Sequence, residues 1–132
     1  MENLKVLFLD DDTLTLDVAE YYLRGVGELV SVSTVQHAIE QLNKNYFDVA
    51  ILDYEIDFDR SGIDVLTAAK NLPHLEKTAF ICVSSHTLHS DRVRLLSSGF
   101  DEFLPKPFFR EDLLKVISDR SPKASAQQQI AI

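Results

Sequence analysis

The chain is 132 residues long, 45% hydrophobic and 26% charged, which is room for one ordinary domain and too little for two. Its 13 basic against 21 acidic residues give a formal charge of −8, so the basic footprint of a nucleic-acid binder is missing. No run reaches the roughly 20 apolar residues of a membrane helix, Met1-Glu2-Asn3 does not open a signal peptide, and the lone Cys82 excludes an internal disulfide and favours a reducing, cytoplasmic setting.

The apolar run Leu4-Lys5-Val6-Leu7-Phe8-Leu9 predicts a first strand, and it ends in three consecutive carboxylates, Asp10, Asp11 and Asp12. Thr13 is expected to cap a helix carrying Leu16, Val18, Ala19, Tyr22 and Leu23, which stops near Gly25 or Gly27. Leu29-Val30-Ser31-Val32 predicts a short second strand, and Ala38, Ile39 and Leu42 mark a second helix. Val49-Ala50-Ile51-Leu52 is a third strand that runs into Asp53. A loop over 54–62 then leads to a helix with Ile63, Val65, Leu66, Ala68 and Ala69. Ala79-Phe80-Ile81-Cys82-Val83 predicts a fourth strand ending at Ser84, with Cys82 a small core residue rather than a nucleophile. Residues 89–98 form a helix with Val93, Leu95 and Leu96, closed by Gly99. Phe103-Leu104 marks a brief fifth strand, and 110–119 a last helix with Leu113, Leu114, Val116 and Ile117.

Five strands, each followed by a helix, argue for an α/β fold: a doubly wound five-stranded parallel sheet with helices on both faces. The domain is expected over 1–120, with 121–132 a flexible tail or the start of a linker, given its Ser, Pro, Ala and Gln content.

In such sheets ligands bind outside the carboxyl ends of the strands, where the strand order reverses. The ends of the first, third, fourth and fifth predicted strands carry Asp10-Asp11-Asp12, Asp53, Ser84 and Lys106. Two carboxylates about 4 Å apart repel by roughly 4 kcal/mol at an effective dielectric near 20. A cation, a basic side chain or protonation must offset that. Hard oxygen ligands suit Mg²⁺, a carboxylate can accept a phosphoryl group, and such transfer is mainly positioning and charge neutralisation. Taken singly, Asp53 reads as a turn cap, Ser84 as a loop residue and Lys106 as a solvated lysine. Their joint placement at strand ends is what points to a site.

On these residues the chain resembles the receiver domain of two-component response regulators, over roughly residues 4–119. The motifs that carry the resemblance are Phe8-Leu9-Asp10-Asp11-Asp12, Val49-Ala50-Ile51-Leu52-Asp53, Cys82-Val83-Ser84-Ser85 and Phe103-Leu104-Pro105-Lys106-Pro107-Phe108. The resemblance implies the flavodoxin-like strand order 2-1-3-4-5. It implies that Asp53 accepts the phosphoryl group, and that Asp10, Asp11, Asp53 and the backbone carbonyl of Glu55 hold Mg²⁺ or Mn²⁺. Lys106 and Ser84 would contact phosphoryl oxygens, Ser84 and Phe103 would act as the switch pair, and Glu55 and His86 would tune the lifetime of the aspartyl phosphate. Lys106-Pro107 is expected to be cis. The implied partners are a sensor histidine kinase or histidine phosphotransfer protein and a downstream target or output domain. Dimerisation of the phosphorylated form through the fourth helix, fifth strand and fifth helix is implied as well. Such a chain promotes its own phosphorylation and dephosphorylation without being a conventional enzyme.

The segment after Asp53 departs from the family pattern. It reads Tyr54-Glu55-Ile56-Asp57-Phe58-Asp59-Arg60-Ser61-Gly62, without the usual proline and one residue longer. Ser85 stands where Ala or Gly is usual, and Phe103 where many relatives carry Tyr. Two other readings stay open. The opening segment also resembles the first motif of haloacid-dehalogenase-type phosphatases, with Asp10 as nucleophile and Asp12 as general acid, although Asp53 then lacks a role. The third reading is a receiver-fold binding module that works without phosphorylation.

Overall fold

The computed structural model describes residues 4–56, 61–85 and 88–120. Five strands, β1 (Lys5–Leu9), β2 (Glu28–Val32), β3 (Val49–Asp53), β4 (Ala79–Ser84) and β5 (Glu102–Pro105), alternate with five helices. The helices are α1 (Thr13–Leu23), α2 (Val35–Lys44), α3 (Gly62–Ala69), α4 (His89–Ser97) and α5 (Arg110–Arg120), with a short 3₁₀ turn at Pro73–Leu75. All strand pairs are parallel and the order is β2-β1-β3-β4-β5, as expected.

Period-two alternation distributes the apolar side chains to both faces. Leu7, Leu9, Ala50, Leu52, Phe80 and Cys82 face one way and form a core with Val35, Ala38 and Leu42 of α2, Val65, Leu66 and Ala69 of α3, and Leu95 of α4. Val6, Phe8, Val49, Ile51, Ile81 and Val83 face the other way, against Ala19 and Leu23 of α1 and Leu113 and Ile117 of α5. A strand covered on both faces has no room for polar positions, which is why β1, β3 and β4 read as near-continuous apolar runs. Each fully buried Leu, Ile or Phe contributes about 1.5–3 kcal/mol before entropy is counted.

The chain leaves β1 toward β2 on one side and returns to β3 on the other, so β1 and β3 flank the reversal in strand order. Gly62 brings α3 to this edge. A Cβ there would lie 2.7 Å from the Asp53 carbonyl oxygen, so only glycine lets the first turn of α3 lie on the end of β3. Ser61 precedes it as N-cap, accepting from the Ile63 N–H while its own N–H donates to Asp64 at 2.7 Å. Gly99 (φ 116°) follows α4 in the left-handed region that favours glycine, the role expected for it.

Two local expectations are corrected. The N-cap of α1 is Asp12, not Thr13: Asp12 has extended backbone, its carboxylate accepts the Leu14 N–H at 3.0 Å, and Thr13 already belongs to the helix. Val93 and Ala68, expected on core faces, point outward; Val93 is 48% exposed, and Leu95, with the half-buried Leu96 beside it, forms the core face of α4.

Candidate functional site

β1 and β3 deliver two aspartates to the carboxyl edge of the sheet. Asp10 follows Leu9 directly and is fully buried, and Asp53, the last residue of β3, is 1% exposed. Asp11 stands at the solvent rim, and one carboxylate oxygen from each of Asp10, Asp11 and Asp53 lies within 4.8 Å of the others. From the end of β5, Lys106 reaches in between. Its ammonium is 2.7 Å from Asp10 Oδ2 and donates to Asp53 Oδ2 at 3.0 Å. The following Lys106-Pro107 peptide is cis.

The charges do not balance. Three carboxylates face one ammonium, two negative charges in excess. Burial, joined by the neighbouring Asp10 charge and opposed by the Lys106 hydrogen bond, leaves the Asp53 carboxyl pushed up to about 8. For Lys106, burial works against the ammonium, but its bonds to Asp10 and Asp53 outweigh that and hold its pKa above the ordinary lysine range. The lysine therefore stays charged. The strain of the site falls on the carboxylates.

Asp10 is the clearest case. Its Oδ1 accepts the Asp12 N–H at 2.9 Å. Its Oδ2 is buried, and no donor among the described residues makes an aligned hydrogen bond to it. Its close charged neighbour is the Lys106 ammonium, 2.7 Å away. A buried oxygen that meets one shared ammonium and no aligned hydrogen-bond donor among the described residues, an all-oxygen donor set and, with all three carboxylates ionised, two excess negative charges fit a hard divalent cation of the Mg²⁺ kind.

At the end of β4, Ser84 is fully buried and its hydroxyl donates to Glu55 Oε1 at 2.7 Å. The Ser85 N–H and Ser85 hydroxyl both donate to the same oxygen at 3.2 Å. The Glu55 N–H in turn donates to Asp53 Oδ1 at 3.1 Å, which ties the glutamate to the aspartate two residues before it. Burial pushes the Glu55 carboxyl up, but hydrogen bonds with Ser84, Asp53 and Ser85 outweigh it and leave the group below its usual range. Phe103 is 6% exposed and packs inside the core shared with α2, α3 and α4. Burial, and then the charges of Asp53 and Glu55, push the Cys82 thiol up to about 12, which leaves it an inert core group.

Asp10, Asp11, Asp53, Glu55, Ser84 and Lys106 thus converge, while Phe103 lies inward below them. His86 lies outside the described residues. Sequence reasoning missed the clasp between Tyr54 and Arg94: the Arg94 guanidinium lies 5.2 Å from the Tyr54 ring centre and donates to its hydroxyl at 3.3 Å, joining α4 to the residue after Asp53. Nothing in the sequence signals that pair, because it joins a loop and a helix 40 positions apart. Beside the pocket an apolar cleft of about 330 Å³ is lined by Leu14, Thr15, Val18, Ser85, Lys106, Pro107 and Phe108.

A doubly wound sheet with a carboxylate pocket at its switch point and a lysine from the last strand defines a class of protein. The chain belongs to the response regulator receiver domain family, whose model matches residues 6–118. It is 25% identical to the signal transduction histidine-protein kinase BarA of Escherichia coli over 95% of this chain and 14% of the kinase. It is 28% identical to the cell cycle transcriptional regulator CtrA of Caulobacter vibrioides over 96% of this chain and 55% of that protein. The chain thus spans only part of these relatives. In fold it is similar to the chemotaxis protein CheY4 of Vibrio cholerae, with a TM-score of 0.81 at 23% identity over 89% of this chain and 98% of that one. It is similar too to the receiver domain of the sensor histidine kinase PA1611 of Pseudomonas aeruginosa, with a TM-score of 0.79 at 19% identity over 89% and 97% of the two chains. That structure has a magnesium ion coordinated in its active-site cleft. Family membership makes this chain a receiver of phosphorylation-controlled two-component signalling rather than a conventional enzyme, and the phosphatase and phosphorylation-independent readings are not favoured. No helix among the described residues is long and apolar enough to cross a membrane.

Proposed function

We propose that Asp53 is the phosphoryl acceptor and that a histidine kinase or histidine phosphotransfer protein is the donor. The observation that carries this reading is the Lys106 ammonium held between two buried carboxylates from different strands, one of them ending β3 at the switch point. An Asp53 carboxylate oxygen attacks phosphorus in line, the P–N bond of the phosphohistidine breaks, and its electron pair stays on the imidazole nitrogen. Lys106 neutralises charge on the transferring group. Ser84 donates its hydroxyl to a phosphoryl oxygen. Asp10, Asp11, Asp53 and the Glu55 carbonyl would hold Mg²⁺ or Mn²⁺, which when bound supplies charge neutralisation at the phosphoryl oxygens. The apolar cleft beside Lys106 gives a donor side chain a place to approach.

The output is a shift between two arrangements of Ser84 and Phe103 that alters the surface of α4, β5 and α5, through which the phosphorylated form dimerises or meets its target. Moving such an equilibrium from 1:99 to 99:1 takes about 5.5 kcal/mol of differential stabilisation. Charge-assisted hydrogen bonds in a largely dry pocket supply much of that. The chain also promotes loss of its own phosphoryl group, at a rate that Glu55 and His86 tune. We assign 1–120 to the receiver and 121–132 to a tail or linker, in a cytoplasmic protein.

Incubation with labelled acetyl phosphate and Mg²⁺, followed by peptide mapping, tests the assignment. Acid-labile label is expected on Asp53 and at least 100-fold less in Asp53→Asn. Label on Asp10 instead would restore the phosphatase reading.

A further inference from the structure

Three donors at the end of β4 converge on one anionic oxygen. The Ser84 hydroxyl at 2.7 Å, the Ser85 N–H at 3.2 Å and the Ser85 hydroxyl at 3.2 Å all point at Glu55 Oε1. Preorganised donors about 2.7–3.1 Å from a charged oxygen are how proteins stabilise an oxyanion, and here the oxyanion is internal. Ser84 is one of the groups that the proposed function assigns to the phosphoryl group. Both serines end the strand beside the one that carries Asp53: Asp53 is paired in register with Val83, and Tyr54 N–H donates to the Val83 carbonyl.

We infer that the Glu55 carboxylate is a built-in stand-in for a phosphoryl oxygen, one that occupies the Ser84 and Ser85 donors until a phosphoryl group on Asp53 displaces it. This rests on the acceptor role of Asp53 and adds a positioning residue to it. Glu55 is suited to the task at both ends. Its backbone is anchored by the N–H bond to Asp53 Oδ1, so the carboxylate leaves without moving the main chain. Its side chain is only partly buried, so the released carboxylate has water to go to. The trigger is charge. A phosphoryl group brings up to two negative charges to Asp53 and offers stronger acceptor oxygens to the same donors, while repelling the carboxylate that holds them.

A second consequence concerns the resting state. With Glu55 in place, Ser84 is already engaged by an anionic oxygen and Phe103 is already buried. The glutamate therefore biases the unphosphorylated chain toward the inward arrangement and at the same time weakens its response to the phosphoryl group. An interaction made only in the free state always opposes the ligand that breaks it.

Beryllofluoride, a non-covalent mimic of the phosphoryl group, tests this at saturating Mg²⁺ by titration calorimetry. Glu55→Ala should bind it about tenfold more tightly than wild type, at the lower end of the value of hydrogen bonds to a charged group. Glu55→Gln, which keeps an acceptor and loses the charge, should fall between. The gain should shrink in a Ser84→Ala background. In the free protein the Ser85 amide proton resonance should move upfield in Glu55→Ala and return downfield when beryllofluoride is added. An equal gain with and without Ser84 would make the effect one of general charge and overturn the stand-in. No gain, or an unmoved Ser85 amide, overturns it as well while leaving the acceptor role of Asp53 intact. If Asp53→Asn binds the probe as well as wild type, or no variant binds it saturably, the acceptor reading fails and takes the stand-in with it.

Discussion

Strand β3 has a buried aspartate at each end, and the two could hardly differ more in what surrounds them. Asp48, just before the strand, is 4% exposed, and Asp53, its last residue, is 1% exposed. Asp48 accepts the Lys5 N–H at 2.7 Å on one oxygen and the Tyr46 hydroxyl at 3.2 Å on the other. Its end of the sheet is stitched further by the Thr78 hydroxyl on the Phe47 carbonyl and by the Phe80 N–H on Asp101. Both of its carboxylate oxygens meet donors there. Asp53 shares its ammonium with Asp10 and has Asp11 at the rim. The same residue type on the same strand is thus a staple at one end and an unfinished site at the other. Burial does not separate them; the ratio of carboxylates to donors does.

The largest break in that contrast comes from Lys106. Lys106→Met keeps the aliphatic stem and removes the ammonium that bridges Asp10 and Asp53. We expect a loss of about 3 kcal/mol at pH 8 in the absence of divalent cation, by analogy with other buried pairs stripped of one partner. Urea unfolding measures it. The loss should shrink at pH 5, where Asp53 holds a proton, and on addition of Mg²⁺. A deficit indifferent to both would mean that Lys106 acts through packing alone. At the other end of β3, Asp48→Ala strands the Lys5 N–H and should cost about 2 kcal/mol, within the usual range for a buried donor left unsatisfied. That deficit should be insensitive to Mg²⁺, and phosphorylation by acetyl phosphate should persist in the folded fraction.

The two ends also differ in how far the sequence discloses them. The carboxyl edge is legible because Asp10, Asp53, Ser84 and Lys106 interrupt apolar runs at their ends, and strand ends converge in a parallel sheet. Asp48 is not, since a polar residue before Val49 looks like any loop residue until Lys5 N–H is seen to need an acceptor. Adjacent good caps, Asp12 and Thr13, cannot be ranked by pattern, because either side chain satisfies the same rule and only the backbone angle at Asp12 decides. Val93 is ambiguous in pattern for a related reason: α4 carries apolar residues on two faces, and Val93 lies on the exposed one. The partner choices of long side chains were hidden altogether. Lys106 bridging to Asp10, Glu55 turning to Ser84 and Ser85, and Arg94 lying over Tyr54 depend on rotamers, not on periodicity.

The finest test of the contrast is a pH profile of stability in the absence of divalent cation. The Asp53 carboxyl titrates near 8 in the folded chain against about 4 when unfolded. Between those values the folded state holds a proton that the unfolded state has released, so stability falls as pH rises. The contribution is complete below pH 4 and gone above pH 8. A tenfold change in proton affinity is worth about 1.4 kcal/mol, so we expect the fall across this window to be on the order of 5 kcal/mol at most, with the pull of Lys106 at 3.0 Å already included. Asp53→Asn should flatten that stretch of the profile and be more stable than wild type at pH 8, whereas Asp48→Ala should lower the whole curve and keep its shape. Saturating Mg²⁺ should flatten the wild-type curve as well, since the cation and the proton answer the same excess of negative charge. A wild-type profile that stays flat from pH 4 to pH 8 without metal would mean that Lys106 alone balances the pocket, and that the two ends of β3 differ less than their surroundings imply.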